Sequence, residues 1–401
     1  MKSKLEKYFS LFAFAVVIFI VFTIWTAFDH RRRGFKLVES HSQTLETPHL
    51  FDIQRKRPTS ERKSILILAY TDFFEQKKWI WSNDSGVCTL DHAKGKCILT
   101  YDKERFRESD LVLFHARNMP DEFFLQWLSQ NRPTSQHWVY ASWESPNNSP
   151  DPSLLDDLFN LIWSYRSDAD LWSPYGRYEK IYPNDAINPK NPGVHDYTKG
   201  KSKLVAWIAS NCVYPLVRKP FVHEIRRYID VHVFGDCSSE FGQNRICSDS
   251  VECLKEYKFY LSLENALCED YITEKYWGRL GDENVVPVVL GGANYTKLAI
   301  PGSYINVMNF KTVKELAEYL HYLDRNATAY NEYFAWRKKF KVTANDMDLS
   351  LCDICKSYFS KTQLERKVYK DMAEYWVAMG RCNEKDYRIR NLISWWNQER
   401  R

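Results

Sequence analysis

Strands and helices can be placed along much of the chain from the spacing of its apolar side chains. Ser64-Ile-Leu-Ile-Leu-Ala-Tyr70, Asp110-Leu-Val-Leu-Phe-His115 and His137-Trp-Val-Tyr-Ala-Ser142 are short apolar runs without polar alternation. Such runs predict strands covered on both faces, as in a parallel sheet. Between the second and third, Asp121 to Gln130 has a helical look. Pro183, Pro189 and Pro192 then punctuate the chain and predict a crossing between domains. Beyond them the alternation restarts. Lys203 to Asn211, Ile229 to Gly235, Lys258 to Leu263 and Val285 to Gly292 read as strands, and Leu216 to Tyr228, Ile272 to Leu280 and Val313 to Leu323 as helices. Strands alternating with helices imply two doubly wound parallel sheets with right-handed crossovers, at residues 64–185 and 200–345. Two such domains in tandem place a ligand crevice between them, at the C-terminal ends of their strands.

The N-terminal pattern is different. Residues 8–28 carry no charge, and 21 residues at about 1.5 Å each match the hydrocarbon thickness of a bilayer. Asp29, His30 and Arg31-Arg32-Arg33 follow directly, where a cleaved signal peptide would end in small residues. The expectation is a cytoplasmic tail at 1–7, a retained anchor at 8–28 and a polar, basic stem at 29–63. The flanking charges do not choose the orientation: Lys2, Lys4 and Lys7 precede the span and Arg31, Arg32, Arg33 and Lys36 follow it.

Composition narrows the class. Apolar residues make up 44% and aromatics 15%, and only 14 of 401 residues are Gly, which excludes collagen-like and low-complexity chains. The formal charge is +5, but residues 356–401 hold eleven Lys and Arg against six Asp and Glu, so the remainder is neutral on balance. A nucleic-acid partner is therefore not expected. Ten cysteines include the close pairs Cys88 with Cys97 and Cys352 with Cys355. A cytosolic chain would read those four as zinc ligands, a secretory one as disulfides. The sequons at Asn83, Asn147, Asn294 and Asn326 favour the secretory reading. Together they predict a type II membrane protein with its C-terminal bulk in the lumen.

The densest polar cluster is Glu264-Asn-Ala-Leu-Cys-Glu-Asp-Tyr-Ile-Thr-Glu-Lys275, where a buried strand gives way to a helix. Helix N-termini present free N–H groups to phosphate and Lys275 adds charge, although the same residues suit ordinary helix capping. Arg218, soon after the strand ending at Asn211, faces either this crevice or solvent. In the first domain, Trp143-Glu144-Ser145-Pro146 follows a strand directly; Glu144 reads either as a general base or as a turn residue before Pro146. Asp168-Ala-Asp170 resembles the metal-binding Asp-x-Asp of some glycosyltransferases, but it reads better as structural.

Tyr260-Leu-Ser-Leu-Glu-Asn265, Asp270-Tyr-Ile-Thr-Glu-Lys275 and Val286-Pro-Val-Val-Leu-Gly291 together resemble the signature of the α1,3-fucosyltransferases, glycosyltransferase family ten. Trp143-Glu-Ser-Pro146, Asn160 to Tyr165, Asp168-Ala-Asp170, Pro174-Tyr-Gly176, Trp207-Ile-Ala-Ser-Asn211 with Arg218, and Phe334-Ala-Trp-Arg-Lys338 extend the likeness over residues 64–356. The resemblance implies a GT-B fold of two Rossmann-like domains, residence in the Golgi membrane, and GDP-β-L-fucose as donor on the second domain. The acceptor is then O3 of a GlcNAc lying over the first. By position, Glu144 corresponds to the family's general base. Tyr175, Ser210, Asn211, Arg218, Tyr260, Glu264, Asn265, Tyr271, Glu274 and Lys275 correspond to donor-site positions. One base suffices for an inverting displacement, and cations with N–H donors stabilise the departing GDP, so no metal is obligatory and Mn²⁺ is at most a stimulant.

The chain also departs from the family pattern. Leu263 replaces the usual Phe, His115-Ala-Arg-Asn118 differs from the acceptor-region pattern of Lewis-type members, and the segment after Cys355, at 346–401, is a longer return with a basic tail. Cys212, Cys237, Cys247, Cys253 and Cys268 resemble invertebrate and plant members, which points to an N-glycan acceptor. A protein O-fucosyltransferase and a catalytically silent Golgi binding protein are the alternatives. The resemblance further implies the bridges Cys88–Cys352 and Cys97–Cys355. Cys212 and Cys268, both after strand ends near the donor site, are suggested as a further pair, one of several possible arrangements of the remaining six.

Overall fold

A computed structural model describes residues 64–79, 86–90, 95–182, 195–212, 217–281, 283–345, 350–360 and 367–382. All lie in one compact unit, Thr59–Arg401. No helix among them is long and apolar enough to cross a membrane. The proposed anchor at 8–28, the stem at 29–63 and the Asn83 sequon fall outside the described residues.

The first half is a seven-stranded sheet. Its strands are β1 (Ser64–Ala69), β2 (Val87–Leu90), β3 (Gly95–Thr100), β4 (Leu111–His115), β5 (His137–Ser142), β6 (Leu161–Ser164) and β7 (Leu171–Trp172). They lie in the order β2-β3-β1-β4-β5-β6-β7, all parallel except β2, which pairs antiparallel with β3. The continuous apolar runs have the expected cause, since β4 and β6 are buried at every position. The helix Glu122–Gln130 forms with Asp121 as its N-cap, the Asp121 side chain accepting from Phe124 N.

A two-stranded antiparallel ribbon, β8 (Gly176–Lys180) against β14 (Phe340–Asn345), joins the halves. The second half is a five-stranded parallel sheet of β9 (Lys203–Ile208), β10 (Val231–Phe234), β11 (Tyr257–Leu263), β12 (Val286–Leu290) and β13 (Ile305–Asn306), in the order β10-β9-β11-β12-β13. Of its helices, Val313–Arg325 buries Val313, Leu316, Ala317, Leu320 and Leu323 on one face, at the spacing an amphipathic helix requires.

Three expectations need correction. The helix read over Leu216–Tyr228 ends sooner, its described part being Arg218–Ile225, and Leu216 lies outside the described residues. The one read over Ile272–Leu280 is a single turn, Glu274–Trp277, followed by a tight turn at Gly278–Leu280. Here the polar side chains of residues 264–275 bond to one another and to the backbone, which spends the apolar periodicity on a loop. The third correction concerns the cysteines. Cys88–Cys352 and Cys97–Cys355 tie the helix Leu351–Ser360 to β2 and β3, the pairs the family resemblance implies. Cys212, however, pairs with Cys237, and Cys268 with Cys382, so the suggested Cys212–Cys268 bond does not form. β10 lies beside β9, so Cys237, just past its end, is the near neighbour of Cys212. The fifth pairing, Cys247–Cys253, closes a short loop.

The segment 367–382 returns to the first sheet. Tyr369 exchanges backbone hydrogen bonds with Asp157 and Phe159, and Trp376 is buried against Tyr140 and Tyr165. Its end reaches the other half, where Glu269 N donates to the Gly380 carbonyl beside the Cys268–Cys382 bond. At Gly380 a Cβ would lie 2.7 Å from Pro146, so only glycine lets this strap close on the turn that follows β5.

Candidate active site in the crevice between the sheets

In the second sheet β9 and β11 are neighbours although β10 intervenes in sequence, so the chain changes direction between them. Ligands bind outside the C-terminal ends of strands at such a switch point. Ser210 and Asn211 follow β9 there and are exposed; Glu264 and Asn265 follow β11. Gly235 ends β10 with a φ of +83°, and a Cβ on it would meet the Ala209 carbonyl at 2.7 Å, so the turn beside Ser210 requires glycine.

Glu264 is fully buried. Its Oε1 accepts from Thr273 N at 2.8 Å and its Oε2 from Thr273 Oγ1 at 2.7 Å. Burial pushes its carboxyl up to about 7, against the pull of Lys275 and the two Thr273 bonds. The Lys275 ammonium donates to Glu274 Oε1 at 2.7 Å and to Thr273 Oγ1 at 3.1 Å. Burial works against that charge, but Glu264 and Glu274 outweigh it and hold its pKa above the ordinary lysine value. Glu274, whose burial opposes ionisation, is in turn held below the usual carboxylate value by Lys275. Arg218, only 4% exposed, opens its helix and donates to the Asn211 carbonyl at 2.6 Å. Burial lowers its pKa, and Glu264, Tyr260, Tyr271 and Glu274 all lie near enough to oppose that. The Tyr260 ring is buried beneath the Arg279 guanidinium, 5.1 Å from its centroid. Asn265 Oδ1 is buried with no hydrogen-bond partner.

From the first sheet, β5 delivers Trp143-Glu144-Ser145-Pro146. The turn is held from both sides: Tyr175 Oη donates to the Trp143 carbonyl at 2.8 Å, and the hydroxyls of Ser142 and Ser149 donate to the Glu144 carbonyl at 3.3 and 3.4 Å. The Glu144 carboxylate takes a hydrogen bond from Tyr271 on the opposite half, while its Oε2 is buried and unpartnered. Burial raises its pKa, and Glu274 adds to that; Lys275, Arg117 and the Tyr271 bond act in the other sense. Tyr175 and Tyr271 pack edge to face with ring centroids 6.0 Å apart. Ser167 N and Oγ both donate to Asp270 Oδ2, at 2.9 and 2.6 Å, a second tie across the crevice.

The electrostatic coupling of Glu144 with Lys275 and Glu274, and of Arg218 with Glu264, Glu274 and Tyr271, shows that residues far apart in sequence meet in one site. The Asp-x-Asp stands apart, committed to structure. Asp168 pairs with Arg166, while Asp170 accepts from Ile162 N at 2.9 Å and Tyr369 Oη at 2.7 Å. Among the described residues no group of three or more His, Cys, Asp or Glu could hold a metal ion. Of the sequons, Asn147 and Asn294 are exposed, and Asn326 is half-buried with its amide donating to Tyr322 Oη.

Sequence reasoning passed over Thr273, which supplies both donors to Glu264, and Tyr165, whose fully buried hydroxyl has no partner and feels the Glu144 charge. A threonine before Glu-Lys at a helix start is a legible cap signal; nothing local marks Tyr165. Chemically, the site offers one carboxylate with a raised pKa and a free oxygen, facing a cluster of cations and N–H donors. That is the equipment for taking a proton from a hydroxyl while an anionic leaving group departs.

Comparison with known proteins places the chain in a family. The model for glycosyltransferase family 10 (fucosyltransferase), C-terminal part, matches residues 198–376, and that for the fucosyltransferase N-terminal part matches 62–176. Alpha-(1,3)-fucosyltransferase fut-6 of Caenorhabditis elegans is 30% identical over 80% of this chain and 82% of its own length. The human 4-galactosyl-N-acetylglucosaminide 3-alpha-L-fucosyltransferase FUT5 is 34% identical over 69% of this chain and 73% of its own. A crystal structure of an α1,3-fucosyltransferase with GDP-fucose aligns at a TM-score of 0.47 and 18% identity, covering 79% of this chain and 95% of that one. On the two matched models and the extent of the nematode relative, the chain belongs to glycosyltransferase family 10, the fucosyltransferases.

Proposed function

We propose that the protein transfers L-fucose from GDP-β-L-fucose, with inversion, to O3 of a GlcNAc in an N-glycan, as a type II protein of the Golgi membrane with its catalytic part in the lumen. The observation that carries this reading is the single free carboxylate oxygen of Glu144, set across the crevice from Lys275 and coupled to it. Glu144 takes the proton of the acceptor hydroxyl as its oxygen attacks C1 of fucose. The C1–O bond to GDP breaks on the opposite face, and Lys275 and Arg218 take up the charge of the leaving diphosphate. One displacement with one base inverts the β donor to an α product. The names of the nematode and human relatives support the α1,3 linkage, and five disulfides with exposed sequons support a lumenal setting.

The test is an assay of the purified full chain in detergent with GDP-fucose. It offers an N-glycopeptide, a free antennal oligosaccharide and a folded protein with accessible hydroxyls, with and without EDTA. Transfer to a GlcNAc of the N-glycopeptide, an α1,3 linkage by NMR, and activity that survives EDTA are expected. Transfer only to the protein hydroxyl makes it a protein O-fucosyltransferase. Loss of activity on chelation, restored by metal, would return Asp168 and Asp170 to the mechanism.

A further inference from the structure

Residues next to Tyr175 and Tyr271 in the chain line a cavity of about 200 Å³ that the mechanism does not use. Its lining includes the chain neighbours of both tyrosines, Pro174 and Gly176 on one side and Asp270 and Ile272 on the other. It is therefore one residue away from the site that holds Glu144. Four aromatic residues line it, Tyr165, Trp172, Tyr178 and Trp277, the last two stacked with ring centroids 6.5 Å apart. Trp172 is 42% exposed, and its indole is fixed by a hydrogen bond from Nε1 to the Tyr165 carbonyl and by the Arg177 guanidinium 5.2 Å over the ring.

Polar atoms on the same walls are uncommitted. Asp270 takes both Ser167 bonds on Oδ2, leaving Oδ1 without one among the described residues. Lys297 is exposed and forms no ion pair among the described residues. A carboxylate oxygen that accepts, an ammonium that donates and flat aromatic faces between them suit a neutral ring whose rim carries hydroxyls and whose faces carry C–H bonds. A bare phosphate would meet Asp270, and a purely apolar ligand would strand Asp270 and Lys297 without water.

We propose that this cavity is a second carbohydrate subsite, which takes one pyranose residue of the acceptor glycan other than the sugar that receives fucose. The inference rests on the N-glycan reading above, because only a branched acceptor has a further sugar to place there. Both halves line the cavity, so an occupant also bridges them beside the crevice.

Two measurements test it. The first titrates a biantennary N-glycan heptasaccharide, free of peptide, into the full chain and follows it by saturation-transfer NMR, an assay that needs no turnover. Binding is expected, weakened about fivefold in Trp172→Ala and in Lys297→Ala, the loss of one stacking or charged contact. No binding, or equal binding by wild type and both variants, overturns the subsite. The second measurement compares KM for a biantennary N-glycopeptide with KM for a peptide bearing only its two innermost GlcNAc residues. Trp172→Ala is expected to raise the first about fivefold and to leave the second, the KM for GDP-fucose and kcat unchanged. Equal rises for both acceptors would mean that Trp172 only supports the fold. A retained binding difference with no transfer to either glycopeptide would instead fault the acceptor reading and leave the subsite standing.

Discussion

Glu144 and Glu264 stand on opposite walls of one crevice, both with carboxyl pKa values raised by burial, yet their surroundings differ. Glu264 gives both oxygens to Thr273, and so to the loop that carries Tyr271, Glu274 and Lys275. Glu144 takes one bond from Tyr271 and keeps Oε2 free. A buried carboxylate whose oxygens are all occupied is a fastening. One with an unfilled oxygen keeps room for a further donor, which is what the general-base role proposed for Glu144 requires. On the proposed function, the contrast puts the base in the first half and the organisation of the leaving-group site in the second.

The sharpest break of this comparison is Glu144→Gln. Turnover should fall about 10²- to 10⁴-fold, the usual worth of a general base, while GDP affinity stays within twofold. Near-normal turnover with a good acceptor would move the base elsewhere. The next largest effect belongs to the strap. Removing Cys268–Cys382 by the double change to serine frees the loop bearing Tyr271 from the segment that packs on Pro146. Chain entropy for its separation of 114 residues sets an upper bound of about 5 kcal/mol on the lost stability. A melting point unchanged by the double substitution would show the strap to be held by packing alone.

Lys275→Ala and Arg218→Ala should each weaken GDP by about 1.5–3 kcal/mol, roughly tenfold or more by calorimetry. Unchanged GDP affinity in both would remove them from the diphosphate. Lys275→Ala should also move the acid limb of the kcat/KM profile to higher pH, because Lys275 lowers the Glu144 pKa.

The smallest effect separates the two glutamates by pH alone. Glu264 is raised from 4.5 to about 7 in the fold, so between those values the native protein binds more protons than the unfolded chain. Its contribution to stability is present at low pH and lost as pH rises through that window. The ligand-free protein should therefore lose melting temperature from pH 4.5 to 7, with a shallower slope in Glu264→Gln. An identical slope in the variant would place the titration on another group.

Much of this site was legible in the chain, for local reasons. β4, β5, β9 and β11 are runs of apolar residues that can only be covered on both faces, and the polar residues directly after them fall at strand ends. That rule makes Glu144 and Glu264 candidates beside ordinary turn and capping readings, and the family resemblance adds Ser210. The ribbon of β8 and β14 was not legible, because its partners lie some 160 residues apart and neither strand names the other.

By itself, then, the sequence determined two parallel α/β sheets, a charged loop after β11, a carboxylate after β5 and the family to which these belong, since each follows from short-range patterning or from a motif. Only the tertiary structure decided which glutamate keeps a free oxygen, that Cys268 joins Cys382 rather than Cys212, and that the Tyr165 hydroxyl is buried without a partner. These depend on which distant segments come to lie side by side. Burial and hydrogen-bond satisfaction are properties of that packing, and no local spacing of residues encodes them.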